Sequence, residues 1–442
     1  MKLFGSSGIR RVVDREFLHL VFDVGLAVGT SYGSVVTGCD TRTSSSAVRY
    51  AFLSGLLSSG ATVSSAGMIP TPTLAYAARN FEVGAMITAS HNPPQYNGIK
   101  LINADGSAFD AAQREQLEKI VSSKSAEVVQ WHEIKESSEY SGSGEEHIER
   151  ILADFTGQLK IKVVLDCGCG AASVVTPVLL SRLGCVVIPL NCQPSGYFPR
   201  ASEPSPENLS ALQSMVKAEG ADLGIAHDGD GDRIAVIDDE GNFVPQDKLL
   251  ALFARQVKAK KVVTTVDASM LIEELGIDVV RTRVGDAFVS DELRGYTGED
   301  MIESFGGESS GCFIFPWISL CPDAIYAAAM IVKLAGERRI SELIDQMPSY
   351  PLLRGGIAGD NSIMQDVKKS LMSRVDAGCN LETIDGLRLE FDDGWLLIRP
   401  SGTEPKIRIT AEAISEQRAG EIYNLGVEVI TDCLNVRERA TI

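Results

Sequence analysis

Through its first three quarters the chain alternates short apolar runs, rich in Val, Ile and Leu, with longer stretches whose apolar positions recur at helical spacing. Runs of that kind are buried strands, and their alternation with helices predicts parallel sheets covered by helices. Three of them look alike: SVVTGCD (34–40), KVVLDCG (162–168) and KVVTTVD (261–267). Each reads as a strand reaching Asp, then small residues, then an apolar-periodic helix, a weak internal repeat of a βαβ unit. After the helical run DAIYAAAMIVKLAGE (323–337) the pattern changes. Residues 352–442 read as a helix, two strands around LRLEFDDGWLLIR, a loop, a strand and a final helix, with Asp392-Asp393-Gly394 as the hairpin signal. The expected fold class is α/β: three related βαβ-containing domains plus a smaller α+β C-terminal domain around a central cleft. Boundaries are drawn at 1–147, 148–244, 245–350 and 351–442, with the polar, Ser- and Glu-rich stretch 121–147 as a solvated connection.

A length of 442 residues exceeds what one hydrophobic core covers, which fits several domains. The net charge of -18 argues against nucleic acid and anionic membranes as partners, since both reward clustered Lys and Arg. An anionic small substrate would therefore need a local basic pocket. No stretch approaches the roughly eighteen apolar residues of a membrane span, and MKLFGSSGIRRVV lacks a signal-peptide core. Nine cysteines without CxxC spacing read as reduced thiols in a cytoplasmic protein, and Cys167 and Cys169 lack the further ligands of a metal site. Monomer and homodimer both stay open.

The candidate chemistry lies in four strings. In VGAMITASHNPPQYNGIKL (83–101) the prolines at 93 and 94 forbid a helix, so Ser90 and His91 fall in a loop at a strand's carboxyl end, where open α/β sheets bind ligands. A serine hydroxyl is a poor nucleophile at neutral pH and needs a base or metal. DLGIAHDGDGDRIAVIDDEG (222–241) supplies one: Asp228, Asp230 and Asp232 alternate in a near-extended loop, which would turn three hard carboxylates to one side, a set suited to Mg²⁺. An EF-hand is excluded by Arg233 at its sixth position, Asp239 at its twelfth, and flanking strands. GGESSG (306–311) contains the GxSxG elbow of α/β-hydrolases around Ser309, but no histidine follows residue 309, so the required order Ser, acid, His is missing. IRPSGTEPKIRI (398–409) packs hydroxyls, glycine and cations into one strand-loop-strand, an anion nest. DCGCGAAS (166–173) falls short of a dinucleotide fingerprint, since Ser173 ends it and LNCQ (190–193) holds no acid.

Together with the opening KLFGSSGIRR (2–11), these strings resemble the active-site segments of the α-D-phosphohexomutases, and the resemblance spans residues 2 to 409. It implies an intramolecular phosphotransferase that interconverts hexose 6-phosphate and hexose 1-phosphate. Ser90 would carry the phosphoryl group, with Arg10 reaching it and Lys100 assisting. One Mg²⁺ would be held by Asp228, Asp230, Asp232 and a phosphoserine oxygen of Ser90. Gly307, Glu308 and Ser310, with Arg233, would contact the sugar. Arg399, Ser401, Gly402, Thr403, Lys406 and Arg408 would grip the non-reacting phosphate. A hexose 1,6-bisphosphate is then both intermediate and activator, and the general base stays open between His91, Lys100 and water. The SGIR opening and RPSGTEP clamp look most like the phosphoglucosamine mutase branch, implying glucosamine 6-phosphate to glucosamine 1-phosphate; the phosphomannomutase/phosphoglucomutase branch is the alternative. Four positions depart from the family pattern: Arg11 stands where Gly is common, Ala287 for a basic residue, Cys312 for a histidine, and Ala324 for Gly. Cys312 and Ala287 also suggest a sugar-phosphate sensor without catalysis.

Overall fold

The computed structural model describes residues 2–5, 8–375, 379–401 and 405–440. They form two units: Met1–Ala259 with Gly285–Gln346, and Lys260–Val284 with Met347–Ile442.

In the first unit a six-stranded sheet contains β1 (Ile9–Val12), β2 (Ser34–Cys39), β3 (Thr62–Met68), β4 (Val83–Ile87), β5 (Tyr96–Asn103) and β6 (Ser138–Glu139), in the order β1-β5-β4-β2-β3-β6. β4, β2 and β3 run parallel, whereas β5 lies antiparallel between β4 and β1. All five residues of β4 are buried, as a run apolar on both faces requires. Helix α1 (Arg15–Ser31) starts on Asp14, whose carboxylate accepts the Phe17 N–H at 2.7 Å.

α1 packs on α2 (Ser45–Ser58) with backbone meeting backbone at Gly25 and Gly55. A Cβ on Gly25 would stand 2.3 Å from the Phe52 carbonyl oxygen, and one on Gly55 would stand 2.2 Å from that of Phe22. Alanine at Gly55 is a better helix former by about 1 kcal/mol, but forcing two backbones apart costs more. Gly55→Ala should therefore destabilise the fold by about 1–3 kcal/mol, read as a lower chemical-denaturation midpoint.

A second sheet joins β7 (Lys162–Asp166), β8 (Val186–Leu190), β9 (Leu223–His227) and β10 (Ile234–Ile237) in the order β10-β9-β7-β8. Parallel β9 and β7 give way to antiparallel β10, so residues 228–233 turn sharply at the carboxyl end of β9. Helix α3 (Thr71–Ala78), opened by Pro70 and Pro72, begins against that turn: the Thr71 N–H donates to the Asp230 carbonyl at 2.8 Å. The unit also holds the short hairpin Ser304–Gly307 with Phe313–Ile314.

The second unit contains a parallel strand pair, Lys261–Thr265 with Asp278–Thr282. It also has an antiparallel sheet in the order Leu352–Ala358, Lys406–Ala413, Gly394–Pro400, Leu387–Phe391, Asn380–Glu382. Helices Met364–Met372 and Glu416–Ala440 bury Val367, Leu371, Ile422 and Val429 against Leu389, Leu396, Ile398 and Ile409. Phe391 pairs with Gly394, so the expected hairpin turns on Asp392-Asp393.

The mixed α/β architecture with an α+β C-terminal part matches the expected fold class. Two local readings differ. The tail opens with strand Leu352–Ala358, missed because Pro351 and the Gly355-Gly356 pair depress its strand signal; it survives as an edge strand on Lys406–Ala413. The helix after Lys261–Thr265 is a short 3₁₀ turn, Met270–Leu275. No helix among the described residues is long and apolar enough to cross a membrane.

Candidate active site

Ser90 stands three residues past β4 and adopts a left-handed backbone, φ 51°. That conformation is costly for a residue with a Cβ and persists only when its surroundings impose it. The Ser90 N–H donates to Thr88 Oγ1 at 2.9 Å, and its hydroxyl donates to Asp228 Oδ2 at 3.0 Å. His91 Nδ1 lies 3.3 Å from the same hydroxyl. From β1, Arg10 donates to Asn92 Oδ1 at 3.1 Å, which brings the opening motif onto the serine loop. Gly98 lets these strands close: a Cβ there would stand 2.2 Å from the Ile9 carbonyl oxygen and 2.8 Å from that of Thr88.

The aspartate loop is bent, not extended as the alternation suggested. Asp228 Oδ1 accepts the N–H groups of Gly231 (3.0 Å) and Arg233 (3.2 Å), and Gly231 takes φ 75°. Convergence therefore comes from a carboxylate-centred turn, not from pleat geometry. One oxygen from each of Asp228, Asp230 and Asp232 lies within 4.8 Å of the others, and all three residues are buried. Lys100 on β5 reaches in, with Nζ 2.6 Å from Asp230 Oδ2 and 2.5 Å from Asp232 Oδ2. Thr71 Oγ1 donates to Asp230 Oδ2 at 2.5 Å. The Oδ1 atoms of Asp230 and Asp232 are buried with no hydrogen-bond partner. Buried anionic oxygens without donors are expensive, and a hard divalent cation is the partner that such a donor set fits.

The electrostatics show the strain. Burial, then the like charges of Asp232 and Asp230, push the Asp228 carboxyl well above its ordinary range. Burial, then Asp230, raises Asp232. Burial also works against the charge on Asp230, yet Lys100 outweighs it and holds this carboxyl low. Lys100 answers in kind: burial disfavours its ammonium, but Asp230 and Asp232 raise its pKa. Burial, then the Arg233 and Arg10 charges, pushes His91 down to about 3, so its imidazole is neutral.

The sugar-loop candidates neighbour this turn. Arg233 and Cys312 form a backbone bridge, and the Ile234 N–H donates to the Gly311 carbonyl at 3.0 Å. Gly307 sits on the hairpin opposite Phe313, Glu308 is buried, and Ser310 Oγ donates to Glu308 Oε2 at 2.7 Å. Burial drives the Cys312 thiol well up, so it cannot stand in for a histidine base. Ser309 Oγ donates to Asp247 Oδ1 at 2.6 Å, a carboxylate where a hydrolase nucleophile needs a histidine.

In the second unit Arg399 and Arg408 face each other directly across antiparallel strands, a like-charge pairing that an anion would relieve. Arg399 Nη1 lies 2.5 Å from Asp385 Oδ2, and the Ser401 N–H donates to the Lys406 carbonyl at 2.7 Å, closing the loop's base. Lys406 and Arg408 are exposed. Gly402 and Thr403 lie outside the described residues.

The structure thus brings together Ser90, His91, Arg10, Lys100, the three aspartates and Arg233 within one unit. Sequence reasoning missed the groups that hold them. Asp40, Arg42 and Thr88 brace the serine loop, and Thr71 braces Asp230. Glu203 pairs with Arg233 and lies 3.6 Å from His91 Nε2. The signal available was CDTRTSS (39–45), a charged pair directly after a buried strand.

Comparison with known proteins gives four matches in chain order to "Phosphoglucomutase/phosphomannomutase": alpha/beta/alpha domain I over residues 1–127, domain II over 145–241, domain III over 245–350, and the C-terminal domain over 358–424. A "Probable phosphoglucosamine mutase" of Methanocella arvoryzae is 48% identical over 441 residues, covering 98% of this chain and 99% of that protein. A protein of the same description from Pyrococcus horikoshii is 44% identical over 452 residues, covering 98% and 99%. Among solved structures, a phosphoglucomutase/phosphomannomutase family protein from Burkholderia thailandensis superposes with a TM-score of 0.87 at 26% identity, covering 98% of this chain and 97% of that one.

Proposed function

The chain belongs to the phosphoglucomutase/phosphomannomutase family and is a hexose-phosphate mutase, and from that premise we propose that it converts glucosamine 6-phosphate into glucosamine 1-phosphate. The observation that carries the chemistry is the Ser90 hydroxyl 3.0 Å from Asp228, inside a trio of buried carboxylates. The amino-sugar assignment rests on relatives of that description at 41–48% identity.

Phosphorylated Ser90 gives its phosphoryl group to the free hydroxyl of a hexose monophosphate, forming a hexose 1,6-bisphosphate. The bisphosphate turns end over end, and its other phosphoryl group returns to Ser90. Asp228, Asp230 and Asp232 would hold one Mg²⁺, which when bound offsets the charge developing on the phosphoryl oxygens. Lys100 balances two of those carboxylates, and Asp228 receives the serine hydroxyl's hydrogen bond when the phosphoryl group has left. Glu308 and Ser310 offer a carboxylate and a hydroxyl to vicinal sugar hydroxyls, the pairing that reads stereochemistry.

The phosphate that is not reacting needs its own grip, and Arg399, Ser401, Lys406 and Arg408, with Gly402 and Thr403, are assigned to it. Arg408→Ala should raise KM for hexose 6-phosphate by roughly 10- to 100-fold, the loss of a charge-assisted hydrogen bond, with a smaller change in kcat. Steady-state kinetics checks it, and an unchanged KM removes Arg408 from the phosphate site.

The substrate assignment is tested by kcat/KM for glucosamine, mannose and glucose 6-phosphates with glucose 1,6-bisphosphate as activator. Glucosamine 6-phosphate should lead by roughly tenfold or more. A lead for mannose or glucose phosphate reverses the assignment within the same family.

A further inference from the structure

Arg42 follows β2 by three residues and is enclosed together with Asp40, both side chains having 0% exposure. A guanidinium has five N–H donors in a fixed fork, and burying one is tolerable only when each finds an acceptor. All five contacts are present. Nε donates to Asp40 Oδ2 at 3.1 Å. Nη1 donates to the carbonyls of Pro93 at 2.7 Å and Tyr96 at 3.0 Å. Nη2 donates to those of Ser90 at 2.7 Å and Asn92 at 2.6 Å. Three carbonyls of the serine loop and that of Tyr96, the first residue of β5, therefore converge on one cation.

The anionic end is equally committed. Asp40 accepts the Arg42 N–H at 3.0 Å, the Ser45 hydroxyl at 2.6 Å and the Thr88 hydroxyl at 2.7 Å. Thr88 Oγ1 in turn accepts the Ser90 N–H at 2.9 Å. The network thus holds Ser90 by both of its peptide groups, carbonyl to Arg42 and N–H to Thr88. Ser90 is also the one residue of that loop with positive φ. Phe198 closes the outer side, with its ring centroid 5.3 Å from the guanidinium carbon.

We propose that Arg42, acting with Asp40 and Thr88, is the positioning residue that imposes the left-handed backbone of Ser90 and so aims its hydroxyl at Asp228. The idea rests on the mutase reading above. A guanidinium, rather than an ammonium, is required because only a planar fork reaches carbonyls on both sides of the prolines at once. Loss of that hold lets the phosphoserine wander from its in-line position. A displacement on the order of 1 Å costs about 100-fold in rate. A misplaced phosphoserine also exposes its phosphorus to water, and transfer then competes with hydrolysis: water adds to phosphorus, the serine oxygen leaves with a proton, and inorganic phosphate is released.

The test compares Arg42→Lys, Thr88→Val and Thr88→Ser with the unaltered full-length protein, well below their melting temperatures. Three quantities are read: kcat, KM for the hexose phosphate, and inorganic phosphate released per mutase turnover. The last is independent of how much of a variant is folded. Arg42→Lys and Thr88→Val should lower kcat by roughly 100-fold and 10-fold respectively, with KM within about twofold, and raise phosphate release per turnover about tenfold. Thr88→Ser keeps the hydroxyl and should stay within about threefold of the parent in kcat. Should Arg42→Lys not fold, the Thr88 pair decides alone. Unchanged phosphate release per turnover in the folded variants overturns the proposal while leaving the mutase reading intact. An unaltered protein that turns over no hexose phosphate sinks both.

Discussion

Alanine at Ser90 should lower hexose-phosphate turnover by on the order of 10⁴- to 10⁶-fold, the scale on which enzymes lose rate when a covalent nucleophile is deleted. The neighbouring threonine hydroxyls are already committed. Thr88 is spent on Asp40 and the Ser90 N–H, and Thr71 on Asp230. The stability cost should be small, about 1 kcal/mol, because one hydrogen bond to Asp228 is lost and no cavity larger than an oxygen is made. Coupled assays of glucosamine 1-phosphate formation, run beside a thermal melt, separate the two effects. A loss of less than tenfold would move the phosphoryl carrier elsewhere.

Asparagine at Asp230 should lower kcat by roughly 10²- to 10³-fold, the several kcal/mol that a bound cation contributes to phosphoryl transfer. Asp230 is the carboxylate that Lys100 holds ionised, and its Oδ1 is buried without a donor, so it is the member of the trio best prepared for a cation. The amide keeps the shape but brings an N–H₂ group towards Lys100 and removes the charge. Two readouts follow. Saturating Mg²⁺ should raise the melting temperature of the unaltered protein and leave that of Asp230→Asn unmoved. EDTA should abolish the turnover of the unaltered protein, with Mg²⁺ restoring it. A variant that retains both the metal-induced shift and near-normal turnover would remove Asp230 from the site.

The parts legible in the sequence were those written locally. A strand, a loop and a proline pair fixed Ser90 at a carboxyl end, and three aspartates within five residues announced a cluster of carboxylates. What was not legible depends on partners distant in the chain. Arg42 belongs to the serine loop only because β2 and β4 are neighbours in the sheet, and nothing in CDTRTSS says which carbonyls its fork will meet. Lys100 reaches the aspartates because β5 runs antiparallel to β4 and faces the turn after β9. Pattern reasoning erred where hydrogen bonding overruled period. The aspartate loop alternates like a strand, yet the N–H groups of Gly231 and Arg233 fold it around Asp228. The strand Leu352–Ala358 exists because its neighbour offers a full ladder, not because its own glycines favour extension.

The covalent step itself can be weighed. Intact-mass spectrometry of the unaltered protein after incubation with glucose 1,6-bisphosphate and Mg²⁺ should show one added phosphoryl group, about 80 Da, absent from Ser90→Ala and discharged again by hexose 6-phosphate. An unaltered protein that gains nothing, or a Ser90→Ala protein that gains the same mass, contradicts the account.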